Sequence, residues 1–156
     1  MEYHIRSARL TDVDAAIRLI RRGREGAGDQ HGEADRLRSL LFVPSATVVV
    51  AVIEKRVVGV GVLSIRPSVR SGPFIGTIDE LGAETATERP RSTSSAADAT
   101  QRSVIGNSIL EHLVTSARNK GCIRVDVTDP LAAAGPALLK AAGFARRGAL
   151  LSRDIG

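Results

Sequence analysis

Gln101-Arg102-Ser103-Val104-Ile105-Gly106-Asn107-Ser108-Ile109-Leu110 opens the longest regular pattern in the chain. Ile105, Ile109, Leu113 and Ala117 recur four apart, and Leu110 and Val114 widen the stripe. That spacing predicts an amphipathic helix over 101–120 with one buried face. Arg118 and Lys120 suit the negative end of such a helix, and Gly121 its stop.

Upstream of this helix, 84–100 (ETATERPRSTSSAADAT) holds no apolar residue larger than alanine except a proline. It cannot bury enough surface to offset its ordering entropy, so a mobile internal loop is expected. Before it the period changes to that of strands. Residues 47–53 and 57–65 are rich in β-branched residues and flank the turn Glu54-Lys55-Arg56, which makes a hairpin. Residues 74–83 (FIGTIDELGA) read as a third strand after a polar 67–73 loop.

The N-terminal part alternates over 3–8 as a short strand. Thr11 is positioned to cap a helix carrying Val13, Ala16, Ile17 and Ile20 on one face, with Asp12 and Asp14 in its first turn. A glycine-rich loop over 23–32 leads to a second helix over 33–42. Downstream of the long helix, 123–128 (IRVDVT) is a strand, Asp129-Pro130 breaks it, and 136–142 forms a short helix stopped by Gly143. Residues 145–155 supply one or two terminal strands. The fold class is therefore α/β in the order β-α-α-β-β-β-α-β-α-β. The sheet is mixed and mostly antiparallel, flanked by helices, and closes through a β-α-β crossover.

The bulk numbers limit the function. A chain of 156 residues suits one domain spanning 1–156. It is 43% hydrophobic but only 3% aromatic, so the core is aliphatic. No apolar run is long enough to span a bilayer, and the N-terminus shows no basic-then-apolar leader, so a cytoplasmic protein without a membrane partner is expected. A single cysteine, Cys122, excludes an internal disulfide framework, and His4, His31 and His112 lack metal-ligand spacing, so no metal site is expected. The formal charge of +5 comes almost wholly from arginine, which suits phosphate groups. Nucleic acid ranks below a small phosphorylated ligand: the basic residues are scattered, and stacking aromatics are lacking.

Four short stretches in order resemble the GCN5-related N-acetyltransferase family. The 101–110 stretch resembles its signature Gln/Arg-x-x-Gly-x-Gly/Ala, with Gln101 and Gly106 matching and Val104 where the first glycine is expected. Residues 78–83 resemble its fourth strand, 121–128 its fifth, and 138–144 (LLKAAGF) its closing segment. The resemblance implies an N-acetyltransferase that moves an acetyl group from acetyl-CoA to the primary amine of a small molecule or protein. Its alternative is a degenerate relative that acts as an acyl-CoA-binding or regulatory module without turnover. The amides of 102–107 would hold the CoA pyrophosphate at a helix start, within a cofactor-binding set of Gln101, Arg102, Ser103, Val104, Ile105, Gly106 and Asn107. Leu81, Gly82 and Ala83 would meet the pantetheine arm where the fourth strand splays from the fifth, Gly82 leaving room for it. Glu80 would be the base, with Asp79 behind it on the opposite strand face. The competing reading of both acids is a pair of solvated strand-end carboxylates. The family's usual tyrosine acid is replaced by Leu139. Asp29, Glu33 and Asp35 could attract a cationic acceptor, and an exposed strand edge would permit a homodimer.

Overall fold

The computed structural model describes residues 2–22, 28–84, 96–128, 136–148 and 150–155, with side chains outside 96–103 and 136. The elements run β1 (His4–Ser7), a 3-10 turn (Leu10–Asp12), α1 (Val13–Arg21), α2 (Gln30–Leu40), β2 (Ala46–Ile53), β3 (Arg56–Pro67), β4 (Phe74–Ala83), α3 (Ala96–Asn119), β5 (Cys122–Val127) and α4 (Pro136–Ala141). The five strands lie in sequence order in one sheet. The first three pairings are antiparallel, and β4 pairs with β5 in parallel. Helix α3 makes that parallel crossover, as the β-α-β reading requires.

Each face of the sheet has its own core. Val48, Val50, Val52, Val60 and Val62 meet α1 and α2 through Val13, Ala16, Ile17, Leu19, Ala34 and Leu37. Val49, Ala51, Ile53, Leu63 and Ile78 meet α3 through Ile105, Ile109, Leu110, Leu113 and Ala117. The β-branched run of β2 is buried on both sides, so it is continuous instead of alternating with polar residues. Gly59 and Gly61 set the height of α3 above the sheet. A Cβ at Gly59 would stand 2.5 Å from Ile109 Cδ1, and one at Gly61 2.5 Å from Ile109 Cγ2.

Several expected boundaries shift for local reasons. Asp12, not Thr11, organises the start of α1. Its carboxylate accepts the Arg9 amide at 2.7 Å and meets Arg6 Nη1 at 2.6 Å, with the Asp12 side chain only 7% exposed. Asp29 caps α2 by accepting the Gly32 amide, which starts that helix at Gln30. Residues 96–100, expected in the mobile loop, belong to α3; Ala96-Ala97-Asp98-Ala99 is alanine-rich, the composition helices favour most. Glu84, expected in the same loop, is a buried extension of β4 whose amide bonds Val58 O at 2.8 Å. The remainder of that expected loop, 85–95, lies outside the described residues, as do the Asp129-Pro130 break and part of the 23–32 loop.

The terminal strand is the largest difference. Residues 145–148 and 150–155 are irregular and exposed. Alternation supplies two faces, but a strand also needs a neighbouring edge to bond, and here the segment lies on none.

The Arg6–Asp12 contact gives a pH prediction. The Arg6 hydrogen bond is the main reason the Asp12 carboxyl sits below its ordinary range. A carboxylate depressed in the folded state contributes stability above its unfolded value, about 3.9. That contribution is lost as pH falls through the lower folded value. Asp12→Asn is expected to cost about 1–3 kcal/mol at neutral pH by urea unfolding. The gap to wild type should close on acidification; a constant gap refutes the assignment.

Candidate active site

The site is built by a change of partners along β4. Its first half pairs with β5 from Phe74↔Cys122 to Ile78↔Val127, and there the pairing stops. Its second half continues on β3 through Gly59↔Ala83. Among the described residues, the 79–83 segment therefore has a strand on one side and an open edge on the other. A strand edge with free N–H and C=O groups is a template for an extended, amide-bearing ligand.

At the point of separation sits a β-bulge. Val62 pairs with Glu80 and Leu63 with Ile78, which leaves Asp79 as the extra residue. The expectation that Asp79 and Glu80 face opposite sides is thereby overturned, because strict alternation holds only in a regular strand. Asp79 accepts a hydrogen bond from Ser64 Oγ. Ser64 lies two residues beyond Val62, on the sheet face that carries α1 and α2. Glu80, opposite Val62, shares that face. Asp79 is exposed and Glu80 half-buried, so the two carboxylates stand together where the cleft opens.

The other expected cofactor contacts divide. Leu81 and Ala83 lean on the α3 core. Gly82 faces α1: a Cβ there would approach the Leu19 carbonyl oxygen at 3.0 Å, so the glycine makes room for α1 and not for a ligand arm. Gln101 to Asn107 are not a loop opening a helix but lie within α3, which is helical from Ala96. Their amides are spent on bonds to the preceding turn, and the expected cradle at 102–107 is corrected on that ground. Ile105 is buried in the core, and Gly106 is buried with space for a Cβ at 3.4 Å from Leu138 Cδ2. Val104 is 48% exposed and Asn107 is exposed. The side chains of Gln101, Arg102 and Ser103 lie outside the described set.

Leu139, where the family pattern has a tyrosine, is a core residue at 7% exposure. Tyr3 Oη and Ser108 Oγ are hydrogen-bonded on the α3 side of the sheet. The three acids suggested for acceptor attraction are engaged near α2: Asp29 in its cap, Glu33 with Arg21 at 3.0 Å, Asp35 with Arg38 at 2.6 Å. Burial pushes the Cys122 thiol up, away from the reactive thiolate, and its side chain leans on the α3 core. His4, His31 and His112 are exposed, and no metal-binding group of three is found among the described residues. No helix among them is long and apolar enough to cross a membrane.

Glu84 is the feature that composition concealed. Its side chain, 7% exposed, meets Arg56 at 2.8 Å and Arg22 at 3.5 Å. With Arg18, Leu19 and Val57 these residues line a cleft of about 410 Å³ between the end of α1 and the start of β3. The two ion pairs tie the open half of β4 to α1 and to the β2–β3 turn, which fixes the strand where β5 no longer supports it.

A mostly antiparallel sheet, a bulged fourth strand parting from a parallel fifth, and the long crossover helix between them define the architecture. The chain has the GCN5-related N-acetyltransferase fold. Solved structures similar to it over its length include a transcriptional regulator from Bacillus halodurans (14% identity, TM-score 0.74, covering 99% of this chain and 100% of that one). An aminoglycoside N-acetyltransferase in complex with CoA matches at 16% identity and TM-score 0.70, over 99% of this chain and 95% of that one. Glucosamine-6-phosphate N-acetyltransferase from Arabidopsis thaliana matches at 15% and 0.69, over 100% of both chains. No family profile matches the sequence. No curated protein sequence matches it either.

Proposed function

We propose that this chain is an acyl-CoA-dependent N-acetyltransferase acting on a primary amine. The observation that carries the reading is the open 79–83 edge of β4 beside the two carboxylates at the bulge. The pantetheine arm of acetyl-CoA carries two amides and can bond an open strand edge as a neighbouring strand would. Backbone groups there hold the thioester end, and a carboxylate on the adjoining face takes a proton from the acceptor ammonium, freeing the amine that attacks the thioester carbon and expels the CoA thiolate. Glu80 is the group assigned to this step, with Asp79, held by Ser64, beside it. The CoA complex of the aminoglycoside N-acetyltransferase supports a CoA-type ligand for this fold. The acceptor class is left at a primary amine.

Two observations favour the second reading, an acyl-CoA-binding or regulatory module without turnover. The signature amides lie inside α3, and no phenol stands at Leu139 to protonate a leaving thiolate. In an active enzyme the pyrophosphate would be received N-terminal to Gln101, nearer the start of α3, and water would supply the proton. Titration calorimetry with acetyl-CoA is expected to show saturable binding. Absence of heat and of thermal stabilisation at millimolar cofactor defeats both readings. Binding without CoA release across an amine panel selects the second.

A further inference from the structure

The buried Glu84 stands among more positive charge than its own neutralisation uses. Its Oε1 meets Arg56 at 2.8 Å and its Oε2 meets Arg22 at 3.5 Å, so the two oxygens are divided between two guanidinia. Arg18 lies one turn before Arg22 on α1; it is exposed and makes no ion pair among the described residues. The cleft that these residues line therefore carries three guanidinia and one carboxylate, a surplus of two positive charges. The negative end of α1 accounts for part of this crowding, since it favours cations in the last turn. Arg56 lies outside that helix, and Glu84 is what holds it beside the other two. The Arg22 side chain is 52% exposed and that of Arg56 37%, so both are accessible from solvent. Ala15, Leu19 and Val57 supply an apolar wall, beside which charges are less screened than in open water.

We propose that this cleft is a binding site for the phosphate group of a ligand other than acyl-CoA. A guanidinium presents its N–H donors in a planar fork that matches phosphate oxygens, and a phosphate dianion balances the surplus of two. The cleft volume of about 410 Å³ suits a small ligand. Glu84 is the positioning residue: it holds Arg56 and Arg22 side by side while its own charge is buried. The sheet face separates this ligand from acyl-CoA. Gly82 and Glu84 both turn toward α1, so the cleft lies on the α1 side of the sheet. Helix α3, near whose start the acyl-CoA pyrophosphate is placed, covers the other side. Glu80 shares the α1 side, four residues back along the strand and about 13 Å away. On the acetyl-transfer reading the second ligand is thus the acceptor, an amine that carries a phosphate remote from the reacting nitrogen. The identity of the ligand as acceptor rests on that reading; the anion site does not.

Titration calorimetry of inorganic pyrophosphate into the full chain, at saturating acetyl-CoA, is expected to show one saturable site whose affinity falls as salt rises. Arg18→Gln should weaken that binding about tenfold, as loss of one charge-assisted contact does. Arg36→Gln, which removes the same charge from the exposed face of α2, should leave it unchanged. Both side chains are exposed, so both variants keep the fold, which circular dichroism checks. In the wild type, pyrophosphate should slow CoA release and added amine should relieve it; inhibition that amine does not relieve refutes the acceptor assignment. Pyrophosphate that acetyl-CoA displaces overturns the proposal. So does equal weakening by Arg18→Gln and Arg36→Gln, or the absence of saturable binding. A chain that binds pyrophosphate but not acetyl-CoA keeps the anion site and loses only the acyl-CoA reading.

Discussion

Gly61→Ala is expected to destabilise the protein by about 1–3 kcal/mol, the usual cost of inserting atoms into a filled core. The added Cβ would lie 2.5 Å from Ile109 Cγ2 and 2.8 Å from Leu113 Cδ1. Cγ2 is fixed to the branched Cβ of Ile109, so rotation cannot remove it without swinging the rest of the side chain into fully buried neighbours. Relief requires α3 to rise from the sheet, which breaks contacts along the whole row Ile105, Ile109, Leu113. Alanine also removes the backbone entropy of glycine in the unfolded chain, a gain of under about 1 kcal/mol that the clash outweighs. Gly106→Ala is the control. It sits in the same helix, its Cβ would meet only Leu138 Cδ2 at 3.4 Å, and it gains helix propensity. Urea unfolding of the two variants should move in opposite directions. Equal shifts would mean that the glycines of β3 do not set the height of α3.

Glu80→Gln is expected to lower kcat for acetyl transfer by about 10²–10⁴-fold, the range for loss of a positioned general base. Folding should be little changed, because glutamine keeps the shape of a half-buried side chain on the α1 face. Binding of acetyl-CoA should also be retained, since the open edge offers backbone groups and no carboxylate. The bulge makes a second comparison necessary. Asp79 lies on the same face, so Asp79→Asn should reduce the rate less than Glu80→Gln, and the double variant should fall below either. If Asp79→Asn alone reaches the floor and Glu80→Gln does not, the base is Asp79 and the assignment is wrong. If neither alters turnover, the carboxylates are solvated strand-end groups.

Much of the architecture was legible because it is written in periods. The stripe of Ile105, Ile109, Leu113 and Ala117 gives α3 its buried face, and the bounds of β4 agree with the sequence reading residue for residue. What could not be read depends on partners. Asp12 outranks Thr11 only because Arg6, on another element, reaches it. Glu84 sits beside a run of small polar residues, and its burial comes from Arg56, twenty-eight positions away. The role of Gly82 belongs to α1, which passes over it. The signature stretch was legible as a pattern but not as a conformation. Alanines at 96, 97 and 99 draw the helix back past it, and that propensity acts before any ligand is present. The candidate carboxylates were found by residue type, while their common orientation needed the pairing register.

The extra residue at Asp79 acts as a change of parity. Before it, odd-numbered positions of β4 such as Thr77, opposite Ser64, look toward the α1 side; after it, even-numbered ones, Glu80 and Gly82, do so. Were Asp79 paired regularly with Val62 instead of bulged, the side chain of Leu81 would arrive where Gly82 now lies against the Leu19 carbonyl, and Glu80 would turn toward the aliphatic core under α3. The bulge thus separates a sheet that can seat α1 beside Glu80 from one in which Leu81 would collide with that helix.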